Sequence, residues 1–482
     1  MYSIDTCTPE EVGIPSSSVI AMIEELNSYQ VPLHSLLLAR KGKLCFEAYY
    51  KPFKKDQLHR MFSIGKSFTS LAIGLLEEEG KLSLDDCIVT YFPEYVPQNP
   101  HPWLTSMTIR DMLKMQTCHS TTTYKKNPDK EWVESFFTTP PTHPSGCTFI
   151  YDTSASHTLC ALVEKLTKQN ILDYLKDKVL NEIGFSSQSY FMKNQFGTSM
   201  GGSGLMATPM DLLQLGLLLI NNGTSKNGKQ LLPPNYLKEA LSFQCSTIPA
   251  ASPEESYGYG YQFWRTNHNG FVAYGMGGQL MICLPDYDLV CVTTADTQEF
   301  KGGNQMIYNA LYQHILPSLC SVPLKEDNTA YHVLLEKINT LTLPFLNGRH
   351  ENINGESLAK KHWKITAEKK PFDMFYFTFS NDKKEGNLHL FIQGDWHTIP
   401  FGLGSVVEGI FPIYNERIAT SGAWISDTTF YVKCQLIGES VGSVHLQFTL
   451  KENEVCVFMK KVEETMYGEY QGFLMGTPLT NF

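Results

Sequence analysis

Ser63 and Lys66 place a hydroxyl and an amine three residues apart. On a helix that spacing puts both side chains on the same side, about one turn apart. A serine needs a base before it attacks a carbonyl. A lysine can serve only where burial or neighbouring cations strip its proton near neutral pH. The S-x-x-K pattern is weak alone, because Ser357-Lys360 and Ser380-Lys383 repeat it and chance gives about two matches. Context separates the three. After Ser63, residues Phe68, Leu71, Ala72, Leu75 and Leu76 fall at i, i+3, i+4, i+7 and i+8 of one helical face, and Gly80 stops the run. A serine at that N-terminus meets free backbone N–H groups and the positive end of the helix dipole, where an oxyanion would develop. The other two pairs sit in polar, turn-like stretches and read as surface.

Two further segments could complete a site. Tyr151, in Phe149-Ile150-Tyr151-Asp152-Thr153, follows the turn Pro144-Ser145-Gly146 and precedes a helical stretch. Its hydroxyl could share the serine proton and pass it to a leaving group. The run Tyr274-Gly275-Met276-Gly277-Gly278-Gln279 opens a strand, and glycines there allow close substrate approach and outward-pointing N–H groups. Each segment has a plain reading too: an N-cap serine with a lysine stem along the surface, a half-buried tyrosine, a glycine-rich bulge.

The elements that must position these residues follow from periodicity. Residues 33–51 read as a hairpin turning at Lys41-Gly42-Lys43. Helices are expected at Ile109–Met115, Thr158–Leu166 and Pro209–Asn221. Strands are expected at Tyr257–Trp264, Gly270–Tyr274, Gln279–Leu284 and Leu289–Thr294, with a closing helix near 303–318. Strands at both ends with helices between give an α/β (α+β) domain over 1–322, its helical subdomain at about 85–240. A linker and helix over 323–344 leads to residues 345–482, where Phe375–Phe379, Leu388–Ile392, Thr429–Lys433, His445–Thr449 and Val455–Met459 are short strands of an all-β barrel or sandwich.

Composition narrows the function classes. The 482 residues suffice for two or three domains, and 42% hydrophobic with 18% charged residues suits a globular chain. A formal charge of −10 without a basic stripe argues against nucleic acid. The longest apolar run, Leu212 to Ile220, is far shorter than the ~20 residues of a membrane helix. The first residues lack a basic and an apolar signal region, so a cytoplasmic, membrane-free protein is expected. Twelve cysteines without a C-x-x-C pair read as reduced thiols, and no H-E-x-x-H or close histidine pair points to a metal. No cofactor loop is present.

In order and spacing the three segments resemble the β-lactamase-related serine hydrolases: class C β-lactamases, D-alanyl-D-alanine carboxypeptidases, type-VIII carboxylesterases and linear-nylon-oligomer hydrolases. Met61-Phe62-Ser63-Ile64-Gly65-Lys66-Ser67 resembles the family's nucleophile helix, and Thr108-Ile109-Arg110-Asp111-Met112-Leu113 its T-I-R-x-L-L helix. Gly201–Leu205 with Thr208–Leu212, and Pro285–Val290, resemble further segments. The likeness spans about residues 8–320. It implies an antiparallel sheet flanked by helices and an acyl-enzyme on Ser63. Lys66 and Tyr151 would move protons, and the backbone N–H groups of Ser63 and Gln279 would form the oxyanion hole. Thr153, Met276, Gly277 and Gly278 would line the pocket for a small-molecule ester or amide. Two positions depart from the pattern: Thr153 replaces the asparagine of Y-x-N, and Met276 replaces the lysine or histidine of the third motif. These departures weigh against a true β-lactamase or cell-wall carboxypeptidase. They also keep open a non-catalytic protein that retains the pocket for ligand binding or assembly. The resemblance further implies that the C-terminal β-domain shapes the pocket mouth or mediates homodimer contacts.

Overall fold

The computed structural model describes residues 4–479 apart from 127, 249–251, 353 and 360. Of the three S-x-x-K pairs, Ser357-Lys360 therefore lies outside the described residues and side chains. Contacts divide the chain into two compact units. One runs to Leu341; the other runs from Thr342 and includes Gln30–Pro32 and Tyr50–Lys54.

The first unit is built on a six-stranded antiparallel sheet. Its strands are β1 (Leu33–Arg40), β2 (Lys43–Tyr49), β3 (Trp264–Arg265), β4 (Phe271–Gly275), β5 (Gln279–Leu284) and β6 (Leu289–Ala295), in the order β2-β1-β6-β5-β4-β3. Strand β1 is buried along its length and pairs with both its hairpin partner and β6, with Leu37 opposite Glu47 on one side and Val292 on the other. The sheet therefore closes only when residues near 40 meet residues near 290. Helices and a small three-stranded sheet of His59–Arg60, Leu205–Ala207 and Tyr190–Phe191 fill the interval between. Residues 328–340 form a helix belonging to the first unit, tied by Lys337 to Glu24 of helix α1 (Ser16–Ser28) at 2.8 Å. Among the described residues no helix is long and apolar enough to cross a membrane.

Helix α2 (Ile64–Glu78) runs through the centre of this unit. The apolar stripe predicts one buried face, yet every residue from Ile64 to Leu76 is buried. The polar residues off the stripe are satisfied individually, as burial requires. The Ser67 hydroxyl donates to the Gln262 carbonyl at 2.8 Å, Thr69 donates to the Gly201 carbonyl at 3.1 Å, and Ser70 meets the Tyr236 hydroxyl at 2.8 Å. Helix α3 (Thr153–Thr167) begins five residues before the apolar periodicity suggests, because Asp152 caps it by accepting from the Ser154 N–H at 2.8 Å.

One expected strand is corrected. Tyr257–Trp264 is a short 3-10 turn followed by a looping segment, and only Trp264–Arg265 pairs as β3. Gly258 at φ +107 and Gln262 at φ +62 break the extended path. The detour has a use: the Gln262 amide donates to the Met112 and Leu113 carbonyls at 3.1 and 2.9 Å and accepts from Ser156 at 2.6 Å. It thereby joins α2, the Ile109–Leu113 helix and α3.

The end of β4 comes very close to the turn before α2. A Cβ at Gly275 would sit 2.3 Å from the Met61 carbonyl oxygen, a backbone atom that cannot swing away. Gly275→Ala is expected to destabilise the first unit by about 2–4 kcal/mol, read as a lower urea midpoint with unchanged slope.

The second unit is a β-barrel. Its strands are β7 (Trp363–Ile365), β8 (Met374–Phe379), β9 (Glu385–Ile392), β10 (Asp395–Leu403), β11 (Val407–Phe411), β12 (Glu416–Trp424), β13 (Thr429–Leu436), β14 (Gly442–Lys451), β15 (Glu454–Val462) and β16 (Gly472–Pro478). They run β10-β9-β8-β7-β16-β15-β14-β13-β12-β11, and a parallel pairing of β10 with β12 at Gly402–Ser421 closes nine of them into a ring. Alternate residues point inward and fill the interior with Phe375, Phe377, Phe401, Phe430 and Phe448. Ser380 lies in a turn here, its hydroxyl bonded to Asp382, and Lys383 is exposed, as a surface reading of that pair requires.

Candidate active site

The residue before Ser63 sets its position. Phe62 has φ +46, a left-handed conformation that costs a bulky residue roughly 1–2 kcal/mol. It is held there by a backbone bond from the Met61 N–H to Leu205 at 2.8 Å and a bridge between Phe62 and Gly204. The chain then enters α2 with Ser63 at the N-cap, but the Ser63 hydroxyl makes no capping bond. It is used instead by Lys66, whose Nζ donates to Ser63 Oγ at 2.9 Å and to the Gly202 carbonyl at 2.6 Å. Lys66 is only 1% exposed, so its stem does not run along the surface.

Tyr151 packs over this pair. Its ring centre lies 4.9 Å from Lys66 Nζ, and the Ser63 hydroxyl faces the phenol. Burial pushes the phenol well above its ordinary value, only partly countered by Ser63. Tyr151 therefore stays protonated at neutral pH. The ring stacks on Trp264 at 5.6 Å, within a cluster that includes Phe149, Tyr259 and Tyr274.

Thr153, standing where the amide of Y-x-N would be, begins α3. Its methyl lies 2.6 Å from where a Gly202 Cβ would be, so it packs on the residue whose carbonyl holds Lys66. Met276, Gly277 and Gly278 form the hairpin turn between β4 and β5 rather than the start of a strand. Gly277 and Gly278 are buried at φ +82 and +92, and Met276 is partly exposed. Gln279 is fully buried, opposite Gly275 across the hairpin; its amide donates to the Met276 and Ala295 carbonyls at 2.9 and 2.7 Å and accepts from the Ala295 N–H at 3.1 Å. Its side chain is spent on shaping the turn, whereas the residue lying against Met61, two before Ser63, is Gly275.

Asp152 was not anticipated. It is fully buried, accepts from Ser154 and, at 3.4 Å, from Thr117, and burial raises its carboxyl to about 6 even though its hydrogen bonds and the charge of Lys66 pull the other way. An acid whose pKa is raised by folding binds its proton more tightly when native, so stability falls as pH rises from its ordinary value to about 6 and is flat above. Asp152→Asn keeps a good capping group and removes that slope. Urea midpoints at pH 4, 5, 6 and 7 are expected to show a flatter profile than the parent; equal slopes would assign the pH dependence elsewhere.

Among the described residues no group of three or more His, Cys, Asp or Glu side chains is arranged to hold a metal. The beta-lactamase family model matches residues 19–313, three-fifths of the chain and all of the site. The chain belongs to the beta-lactamase family. A curated relative in this family, the 6-aminohexanoate-dimer hydrolase of Paenarthrobacter ureafaciens, is 21% identical over 329 residues, covering 62% of this chain and 83% of the relative. Among solved structures, EstCE1, a hydrolase with promiscuous acyltransferase activity, has a TM-score of 0.50 at 16% identity over 62% of this chain and 99% of its own. A penicillin-binding protein homolog from Caulobacter crescentus has a TM-score of 0.50 at 14% identity, over 64% and 99%. At these identities the structures share the beta-lactamase fold with the first unit.

Proposed function

We propose that the protein is a serine hydrolase that cleaves an ester or amide of a small molecule through an acyl-enzyme on Ser63. The observation that carries this reading is the 2.9 Å contact between a buried Lys66 amine and a Ser63 hydroxyl that caps nothing. In its neutral form Lys66 takes the Ser63 proton as Oγ attacks the carbonyl carbon. The oxyanion is met by the Ser63 N–H at the start of α2. We assign the second donor to the N–H of Met276 rather than Gln279, since β4 ends against the nucleophile turn. The protonated Tyr151 hands a proton to the leaving alcohol or amine and is reprotonated from Lys66. Water then attacks the acyl-enzyme, the same groups return Ser63 to its hydroxyl form, and the acid product departs.

Tyr151→Phe is expected to lower kcat about 10²–10³-fold with an unchanged melting temperature, since the ring keeps its stacking. A rise in KM alone would mean the phenol only binds. The general reading is tested by a panel of p-nitrophenyl esters together with a fluorophosphonate probe, its adduct mapped by mass spectrometry. Turnover with the adduct on the Ser63 peptide is expected. No turnover and no adduct would favour a binding protein that keeps the pocket, the reading Thr153 and Met276 feed. Efficient nitrocefin hydrolysis would instead make it a β-lactamase.

A further inference from the structure

We propose that the first unit carries a second ligand site, away from Ser63, for a small apolar carboxylate with a hydroxyl or amide group on its chain. The site does not depend on the hydrolase reading. It is a cavity of about 380 Å³ beside the turn of the β1–β2 hairpin, at the small end of the range for ligand pockets. Helix Pro209–Ile220 supplies its floor. That helix rests on the sheet through Gly216, where a Cβ would stand 2.7 Å from the Val290 side chain. Gln214, Leu217 and Leu218 fall at i, i+3 and i+4 on another face of the helix and line the cavity, with Ile183 across from them. One wall is the N-terminal segment at Ile4 and Asp5, held in place by the Leu44 N–H, which donates to the Asp5 carbonyl at 2.9 Å. The cavity also meets Asp288, just before β6 begins, where β6 pairs with the last residue of β5. The turn Met276–Gly278 lies at the opposite end of β5, a strand that spans about 17 Å.

Two groups lining the cavity point to a ligand. The first is Gln214, which is 7% exposed, and whose side-chain oxygen is buried with no hydrogen-bond partner. A carboxamide left without a partner costs free energy that an apolar side chain of similar size would not. A hydroxyl or amide of a bound molecule both donates and accepts, as a carboxamide requires. The second is Lys43. Of the three lysines around the cavity, Lys226 pairs with Asp5 at 2.6 Å and Lys41 donates to the Ser321 carbonyl at 2.6 Å. Lys43 makes neither a hydrogen bond nor an ion pair among the described residues. The lysines outnumber Asp5 and Asp288, so the lining is net positive on a chain whose formal charge is −10. An anion is therefore favoured over a cation. Lys43 is exposed and meets the carboxylate at the rim, Leu217, Leu218 and Ile183 take the hydrocarbon, and Gln214 takes the hydroxyl or amide.

The test is calorimetric titration of the full chain with octanoate, octanol, octylammonium and 3-hydroxyoctanoate. One site per chain is expected, with octanoate bound about fivefold tighter than octanol and octylammonium weakest. 3-Hydroxyoctanoate is expected to bind about fivefold tighter than octanoate. In Lys43→Gln the octanoate-to-octanol ratio is expected to fall toward one, and in Lys43→Arg to be kept. In Gln214→Leu the advantage of the hydroxyl is expected to be lost while octanoate still binds. That variant removes an unmade bond, so it should melt no lower than the parent without ligand. Each ratio is internal to one variant, so a general loss of affinity does not imitate the effect. No saturable binding of any probe at millimolar concentration, octylammonium binding as tightly as octanoate, or a ratio unmoved by Lys43→Gln overturns the site. None of these outcomes touches the hydrolase reading, which stands on turnover and the Ser63 adduct.

Discussion

Ser63→Ala is expected to lower kcat on any turned-over ester by about 10⁴-fold or more and to abolish the fluorophosphonate adduct. The structure makes this substitution unusually clean. The hydroxyl caps no helix, and its neighbours Lys66, Gly202 and Tyr151 keep their places without it. The melting temperature is therefore expected to stay within about two degrees of the parent. Retention of more than a tenth of the parent rate would assign the chemistry to another group.

The second large effect belongs to Lys66. Lys66→Met is expected to lower kcat about 10³-fold or more, because methionine fills the buried space of the lysine stem but takes no proton. Lys66→Arg is the sharper control. A guanidinium holds its charge at every usable pH, so arginine can preserve the positive field and still fail as a base. If the arginine variant works, the amine contributes charge alone and the proposed proton transfer is wrong. The methionine variant leaves the Gly202 carbonyl without its 2.6 Å donor, and the larger guanidinium must find room, so stability is measured beside activity.

Much of the site could be read from the chain because its parts carry local signals. The apolar stripe after Ser63 marks α2, and the turn before Tyr151 marks the entry to α3. What escaped depends on distant partners. Ser67, Thr69 and Ser70 look like a solvated face, yet they are buried because Gln262, Gly201 and Tyr236 supply their bonds. Tyr257 to Trp264 alternates like a strand, but the backbone angles at Gly258 and Gln262 bend it into a connector between helices. Asp152 looked like an ordinary residue of a motif; its burial follows from packing that no local pattern records. In the barrel, β10 carries Pro400 and β12 is rich in small residues, so both lack a plain strand signature. The pairing of β7 with β16 joins the sequence ends of the unit, and like the β10–β12 contact that closes the ring it has no local trace.

The left-handed turn at Phe62 also bears on when the protein becomes reactive. Its bracing partners, Gly204 and Leu205, are synthesised long after Ser63 leaves the ribosome. A nascent or partly unravelled chain would carry the serine and the lysine on a formed helix and still be chemically inert. Loss of probe labelling during mild heating should accordingly precede the loss of helical signal in circular dichroism, making the hydroxyl a reporter of native assembly.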